Sequence, residues 1–412
     1  MKRSANERRP KANARRPESA ANGSNGNPPM FIRITPGNVL SFGPNTPPLE
    51  LRNLNVLIGP NGSGKSNLLD IISFIRAAKD DLRRPIERGG GVAEWIWKGS
   101  PQEPASIEVV VRSGRSTPAI RHVVRFRAEG QAFRLGYEEI DNEDLDDGQS
   151  NTFYRSENDV AVIRRNGRKS RLVRREFQPD LSVLSQLRDS EAYPEISCLV
   201  ELYSQIRLYR DWTFGRSTVF RSPQKADLPN DRLAEDFSNL GLFLNRLGRL
   251  PKTRAVLLEC LRDLYEGLTD FNVSIQGGTT EVFFTERDFT IPASRLSDGS
   301  LRYLCLIAIL CDPEPPPLIG IEEPEIGLHP DLIHKIVDLM IAASSRTQLI
   351  VTTHSDILVD AVSSQPEAVV VCEKHDGQTV LQRLKSSHLK KWLSTYSLGE
   401  LWTRGDLGGT RW

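Results

Sequence analysis

The sequence predicts an α/β protein whose parallel sheet is assembled from both ends of the chain, and three observations carry that reading. An apolar run from Leu54 to Ile58 leads straight into glycine-rich sequence and then a helical pattern beginning Asn67-Leu68-Leu69-Asp70. Far downstream the chain alternates: a helix from Leu301, a strand at Leu318 to Ile321, a helix after Pro330, a strand at Leu349 to Thr352. Such alternation writes a parallel sheet with helical crossovers. Between these two parts lie short period-two runs and then a stretch of helical spacing.

The elements follow in order. Residues 1–29 hold seven Lys or Arg against two Glu and almost no apolar side chains, which predicts a disordered basic tail, or else Met30 as the true start. A solvated tail and a weak electrostatic arm for nucleic acid both fit it. Phe31, Ile32 and Ile34 open the first strand, and residues 30–180 form the first half of the sheet with an antiparallel β subdomain, whose runs include Ile107 to Val111 and His122 to Phe126. Glu138 to Asp147 reads as a solvated acidic loop. Asn166-Gly167, flanked by Val160 to Ile163 and Leu172 to Val173, predicts a two-residue hairpin turn. Residues 181–270 read as a compact helical insert, from spacings such as Ile196, Leu199, Tyr203, Ile206 and Leu257, Leu261, Leu264, Leu268. Residues 271–412 complete the sheet.

Composition narrows the class. A chain of 412 residues suggests two to three domains at ~150 residues each, or one domain with a large insertion. With 38% hydrophobic and 26% charged residues it is globular. Five cysteines without a CxxC pair argue for a reducing, cytoplasmic setting and against a zinc module or a disulfide framework. The longest apolar stretch, Tyr303 to Cys311, falls far short of the ~18 residues that span a bilayer, so no membrane is expected. The net charge of +1 hides an asymmetry: beyond the tail, 47 cations face 51 acids, a balance of −4.

Chemistry enters at Gly59 to Ser66, GPNGSGKS, a full G-x4-G-K-[ST] match after a strand and before a helix. Gly59, Asn61, Gly62, Ser63, Gly64, Lys65, Ser66 and Asn67 are the nucleotide-binding candidates. The glycines let backbone N–H groups face phosphate oxygens, Lys65 reaches the β and γ phosphates, and Ser66 ligates Mg²⁺. That makes ATP and Mg²⁺ the expected ligands. The strand Leu318 to Ile321 ends in Glu322-Glu323. Alone, such a pair can be a solvated strand end; downstream of a P-loop, Glu322 is the candidate for the Mg²⁺ shell and Glu323 for the base that deprotonates water.

Leu296-Ser297-Asp298-Gly299-Ser300 precedes an apolar helix, and Thr352-Thr353-His354-Ser355 follows a strand. With these four motifs in this order the sequence resembles the ABC-type ATPase heads of the RecF, SMC and RecN group, and most closely the bacterial RecF-like predicted AAA ATPases through RLSDGSLRYL and IEEPEIGLHP. The resemblance covers most of Met30 to about Arg383. It implies a P-loop NTPase of ABC-ATPase head type. It implies that Ser297 and Gly299, with Ser300 beside them, cap the γ-phosphate of an ATP held by a second subunit, and that His354 senses the phosphate in its own. An ATP-dependent homodimer follows, with DNA repair or genome maintenance as the implied role, bacteriophage defence as a neighbour, and a partner nuclease or repair protein as an alternative user of the clamp. The signature departs from the family at Asp298, Ser300 and His329, and no Q-loop glutamine can be placed. GKSN and LHP, with Ser297 following Lys65 by 232 positions, disfavour a transporter subunit. The absence of a TOPRIM-like acidic cluster disfavours a built-in nuclease.

Three features keep two readings each. Trp95 and Trp97 are packing residues or a base-stacking pair. The stretch from Ser386 to Trp412 is an amphipathic closing element or a partner site. Arg164, Arg165, Arg168, Lys169, Arg171, Arg174 and Arg175 place seven cations within twelve residues, which pair with the acidic run or contact a nucleic-acid backbone.

Overall fold

The computed structural model describes residues 28–409 except 115, 144–151, 158–159, 166–167, 173–176, 217 and 265–266. All but the end of the basic tail, the Asn166-Gly167 turn, Arg174, Arg175 and the acidic run beyond Glu143 therefore lie outside the described residues.

The core sheet has six strands in the order Arg207–Tyr209, Leu318–Glu322, Gln348–Thr352, Leu54–Ile58, Val369–His375 and Gln378–Arg383. The first five run parallel and the last is antiparallel. Leu54–Ile58 and Gln348–Thr352 are buried at every position, as strands covered on both faces must be. Alternate residues serve two cores. Val56, Ile58, Ile319, Ile321 and Val351 pack with the helices Asp298–Leu310 and Pro330–Ala343, whereas Leu57, Leu318, Ile350 and Val370 pack with the helix Lys65–Ala77.

The second core is closed by an eight-stranded antiparallel sheet, ordered Leu49–Glu50, Phe31–Gly37, Ala105–Val111, Ile120–Glu129, Ala132–Asn142, Thr152–Glu157, Val160–Arg165 and Arg168–Leu172. Phe126 meets Phe74 of the helix Lys65–Ala77 with ring centroids 5.1 Å apart. The last two strands pair with Arg165 opposite Arg168, the register of a two-residue loop.

The acidic run is not a loop where it is described. Glu138 to Asn142 complete the strand Ala132–Asn142, and Glu138 is fully buried. Cross-strand partners explain this: His122 Nε2 lies 3.2 Å from Glu138 Oε1, and Val183 N–H donates to Oε2 at 2.8 Å. Arg121 pairs with Glu139 and Asp141, and Arg33 with Glu143. A run of acids reads as solvated only while the chain that faces it is unknown.

The stretch 181–270 contains the helices Val183–Gln186, Pro194–Ser204, Leu240–Gly248 and Pro251–Leu264. It also holds what helical spacing hid, the strand Arg207–Tyr209 at the edge of the core sheet. A third, small sheet of Gln224–Lys225, Leu268–Gln276, Thr279–Glu286 and Phe289–Pro292 adjoins the later helices. Trp95 is buried against Phe74 as a packing residue. Near the C-terminus Leu398, Leu401 and Trp402 are buried while Trp392 is exposed, the pattern of an amphipathic closing element.

Candidate nucleotide site

Three neighbouring parallel strands end at one edge of the core sheet, the place where open α/β sheets take their ligands. After Leu54–Ile58 the chain turns through Gly59 (φ 146°), Gly62 (φ 78°) and Gly64 (φ 99°) into the helix Lys65–Ala77. Space as well as conformation demands glycine at two of these. A Cβ on Gly59 would sit 2.2 Å from the Cys372 carbonyl oxygen, and one on Gly64 2.2 Å from Thr379 Oγ1. The loop is braced from outside by Thr379 Oγ1, which donates to the Ser63 carbonyl (2.8 Å), and by Asn67 Nδ2, which donates to Ser41 Oγ (2.7 Å). Asn61 and Gly62 are exposed and Ser63 is buried.

Lys65 is 5% exposed, and its Nζ donates to the carbonyls of Gly59 (2.9 Å) and Pro60 (3.1 Å). Burial pushes its pKa below the usual lysine value, opposed by Cys372 and then by Glu323, Glu322 and Glu325. Among the described residues this cation has no ion pair. A buried ammonium held only by carbonyl dipoles is a standing anion site, and a polyphosphate fits it.

Glu322 closes its strand between two donors. Ser66 Oγ donates to Oε1, and Arg210 Nε donates to Oε2 at 2.7 Å while Arg210 Nη1 reaches Asp70 Oδ1 at 2.6 Å. Trp212 Nε1 donates to the Glu322 carbonyl at 2.7 Å. The hydroxyl and the Oε1 carboxylate oxygen side by side are hard oxygen ligands of the kind Mg²⁺ takes, so Ser66 and Glu322 can hold that ion with Arg210 fixing the other oxygen.

Glu323 turns the opposite way because its backbone is left-handed (φ 46°), a conformation costly for a side chain of this size and characteristic of functional sites. Its N–H donates to the Thr352 carbonyl at 3.0 Å, and its Oε1 lies 3.3 Å from His354 Nε2. Burial, then Lys65, lowers the His354 pKa against the pull of Glu323, which favours the neutral ring. The segment Thr352 to Ser355, called the switch segment below, is held by Glu325, whose Oε1 accepts from Thr353 Oγ1 (2.7 Å) and from the His354 N–H (3.0 Å). Burial raises the Glu325 pKa, and its Oε2 is buried without a hydrogen-bond partner among the described residues.

Lys65, Ser66, Glu322, Glu323 and His354 thus stand together. The signature residues stand elsewhere. Ser297 caps the helix Asp298–Leu310, accepting from the Ser300 N–H at 3.1 Å, and Asp298 pairs with Arg221. Gly299 is tight against the turn that follows Glu323: a Cβ there would lie 2.4 Å from the Gly327 carbonyl oxygen. Arg302 of the same helix lies over Trp212 (4.8 Å) and Phe214 (5.3 Å), next to the residues that hold Glu322.

Arg210, Trp212, Glu325, Ser41 and Thr379 were not legible as site residues. Glu325 had a signal, as the third acid of EEPE. Arg210 had none, since it follows a three-residue strand without periodicity. No glutamine among the described residues bonds to Ser66, Glu322 or Glu323; the neighbouring strand supplies Arg210 instead.

The family described as "AAA domain, putative AbiEii toxin, Type IV TA system" matches residues 54–360. Solved structures share the fold at low identity. An Smc head bound to the C-winged helix domain of ScpA is 14% identical with a TM-score of 0.56, covering 87% of this chain and 99% of that one. An Smc head with an extended coiled coil, bound to the C-terminal domain of ScpA derived from Pyrococcus furiosus, is 13% identical with a TM-score of 0.55, covering 89% and 99%. The Smc head with coiled coil and joint from Pyrococcus yayanosii is 12% identical with a TM-score of 0.50, covering 89% and 99%. No curated protein matches the chain in sequence.

Proposed function

This chain belongs to that AAA-domain family and has the fold of an ABC-type ATPase head, and from this premise we propose that it binds and hydrolyses ATP as two heads close on one another, acting on DNA. The single observation that supports the reading best is the convergence of an unpaired buried lysine with Glu323 and His354 at the ends of adjacent strands. Gly59, Asn61, Gly62, Ser63, Gly64 and Asn67 shape the phosphate loop, and Lys65 binds the β and γ phosphates. Ser66 and Glu322 hold Mg²⁺, which when bound neutralises charge on those phosphates. Glu323 takes a proton from the attacking water, with neutral His354 fixing the carboxylate from 3.3 Å. Ser297, Gly299 and Ser300, exposed or half-exposed at a helix start, are offered to the γ-phosphate of the opposing head.

Repair or genome maintenance is the cellular role the ATPase-head fold supports. A second reading, favoured by the family's toxin description, is an ATP-gated clamp for a separate nuclease in phage defence, in which hydrolysis only resets the clamp. Among the described residues no helix is long and apolar enough to cross a membrane; five cysteines without a disulfide fit a cytoplasmic setting. ATP turnover with and without duplex and single-stranded DNA, together with size exclusion of wild type and Glu323→Gln in ATP, tests the proposal. DNA-stimulated turnover and an ATP-dependent dimer support it; an ATP-dependent dimer whose turnover DNA leaves unchanged transfers the protein to the clamp reading.

A further inference from the structure

The eight-stranded sheet has one face against the helix Lys65–Ala77 and one face outward. Inward go Phe126, Leu135, Ile140, Tyr154, Ala161 and Ile163, all in the core that surrounds that helix. Period two then sends Arg125, Tyr137, Arg155, Val162 and Arg164 outward, with Lys169 and Arg171 beside them through the pairs Arg164 with Lys169 and Val162 with Arg171, whereas a register shift leaves Phe153 packed against the inner core. Ring contacts agree at Tyr137, where Arg125 and Arg155 lie 4.7 and 5.3 Å from the ring.

Charge divides this outer face in two. On the near half Arg33 and Arg121 are bound by Glu108, Glu139, Asp141 and Glu143 at 2.5 to 3.2 Å. On the far half stand Arg125, Arg155, Arg164, Lys169 and Arg171; among the described acids there, Glu157 pairs with Arg155 at 2.8 Å, and Glu139, opposite Arg155 in register, attracts it as well. Arg125 and Arg171 have no carboxylate partner among the described residues. Arg125, held by the Tyr137 ring instead of a carboxylate, keeps its charge and its in-plane N–H donors available for phosphate.

We infer that the far half of this sheet face is a contact surface for the phosphate backbone of duplex DNA. The strands of Arg125 and Arg171 are four strand spacings apart, ~19 Å, which is more than half a helical turn of a duplex. Tyr137 lies beneath guanidiniums, so the surface offers cations and not a stacking platform; it reads backbone and not bases. The hairpin's cations do not act as one cluster. Arg165 and Arg168, opposite each other in register, face the other side.

The inference rests on the proposed action on DNA, and the test separates the two. Anisotropy of a labelled duplex is measured from about 50 to 200 mM salt with wild type, Arg125→Glu/Arg171→Glu, its neutral counterpart Arg125→Gln/Arg171→Gln, and the opposite-face pair Arg165→Glu/Arg168→Glu. The expected result is ~10-fold or greater loss for the first variant, a smaller loss for the second, a salt slope reduced by about 2 in both, and affinity within ~3-fold for the third, with ATP binding unchanged throughout. Equal losses on both faces, or none on the outer face, overturn the surface. A wild type that binds no duplex at low salt overturns the action on DNA itself. Tighter binding to duplex RNA or to anionic phosphatidylserine vesicles, lost in the same variants, overturns the choice of DNA.

Discussion

Glu323 Oε1 and His354 Nε2 lie 3.3 Å apart although they end different strands, and a left-handed backbone at Glu323 makes the meeting possible. The same kink separates Glu323 from Glu322, whose carboxylate lies between Ser66 and Arg210. Two adjacent acids therefore occupy different surroundings. Glu323→Gln keeps the shape but cannot accept a proton, so turnover should fall ~10²-fold or more while ATP binding persists. Steady-state phosphate release and binding of a fluorescent ATP analogue measure the two separately; unchanged turnover would remove Glu323 from the role of base.

Lys65→Ala takes away a buried ammonium that has only carbonyl partners. The loop backbone remains, but its one side-chain cation for the β and γ phosphates is gone, so nucleotide affinity should drop below detection at millimolar ATP with the fold intact. Calorimetric titration with ATP and a thermal melt read this out. Wild-type affinity in the variant would defeat the phosphate-site reading.

What the sequence made legible and what it hid divide along physical lines. Leu54–Ile58, Leu318–Glu322 and Gln348–Thr352 were readable because buried parallel strands are apolar at nearly every position, and the ligand chemistry follows each strand within a few residues. Arg207–Tyr209 was not, because three residues carry no period, and with it went Arg210. Glu138 looked solvated because its partners, His122, Ser182 and Val183, come from other segments. Alternation on a hairpin already implied that the cations from Arg164 to Arg171 cannot all reach one surface; which ones share a face needed the register, which sets Arg164 with Lys169 and Arg165 with Arg168.

Ser297→Arg tests the opposing-head contact. Ser297 is exposed and caps its helix, so a large cation there should leave each subunit's own ATP binding intact and block both dimerisation and turnover. Mixing this variant with Lys65→Ala gives mixed dimers that keep one composite site with both halves intact, so partial turnover should return. Mixed dimers that form, by size exclusion, yet show no activity would count against shared sites.

Glu325 offers the finest test of how the switch segment is held. Its Oε1 accepts two donors, Thr353 Oγ1 at 2.7 Å and the His354 N–H at 3.0 Å, and so fixes the backbone from which His354 reaches Glu323. Glu325→Gln retains a carbonyl oxygen for both donors and should keep turnover within ~3-fold. Glu325→Ala leaves both donors without an acceptor, and a misplacement of ~1 Å at His354 is enough to cost 10-fold to 10²-fold in turnover. Because Lys65 and its loop are untouched, KM for ATP should hardly move. The decisive comparison is Glu325→Ala on a His354→Ala background: if Glu325 acts through His354, the double variant should be no more than ~2-fold slower than His354→Ala alone, since neighbours acting as one unit are not additive. Losses that multiply, or a Glu325→Gln variant as slow as Glu325→Ala, would show that the carboxylate serves something other than the switch segment.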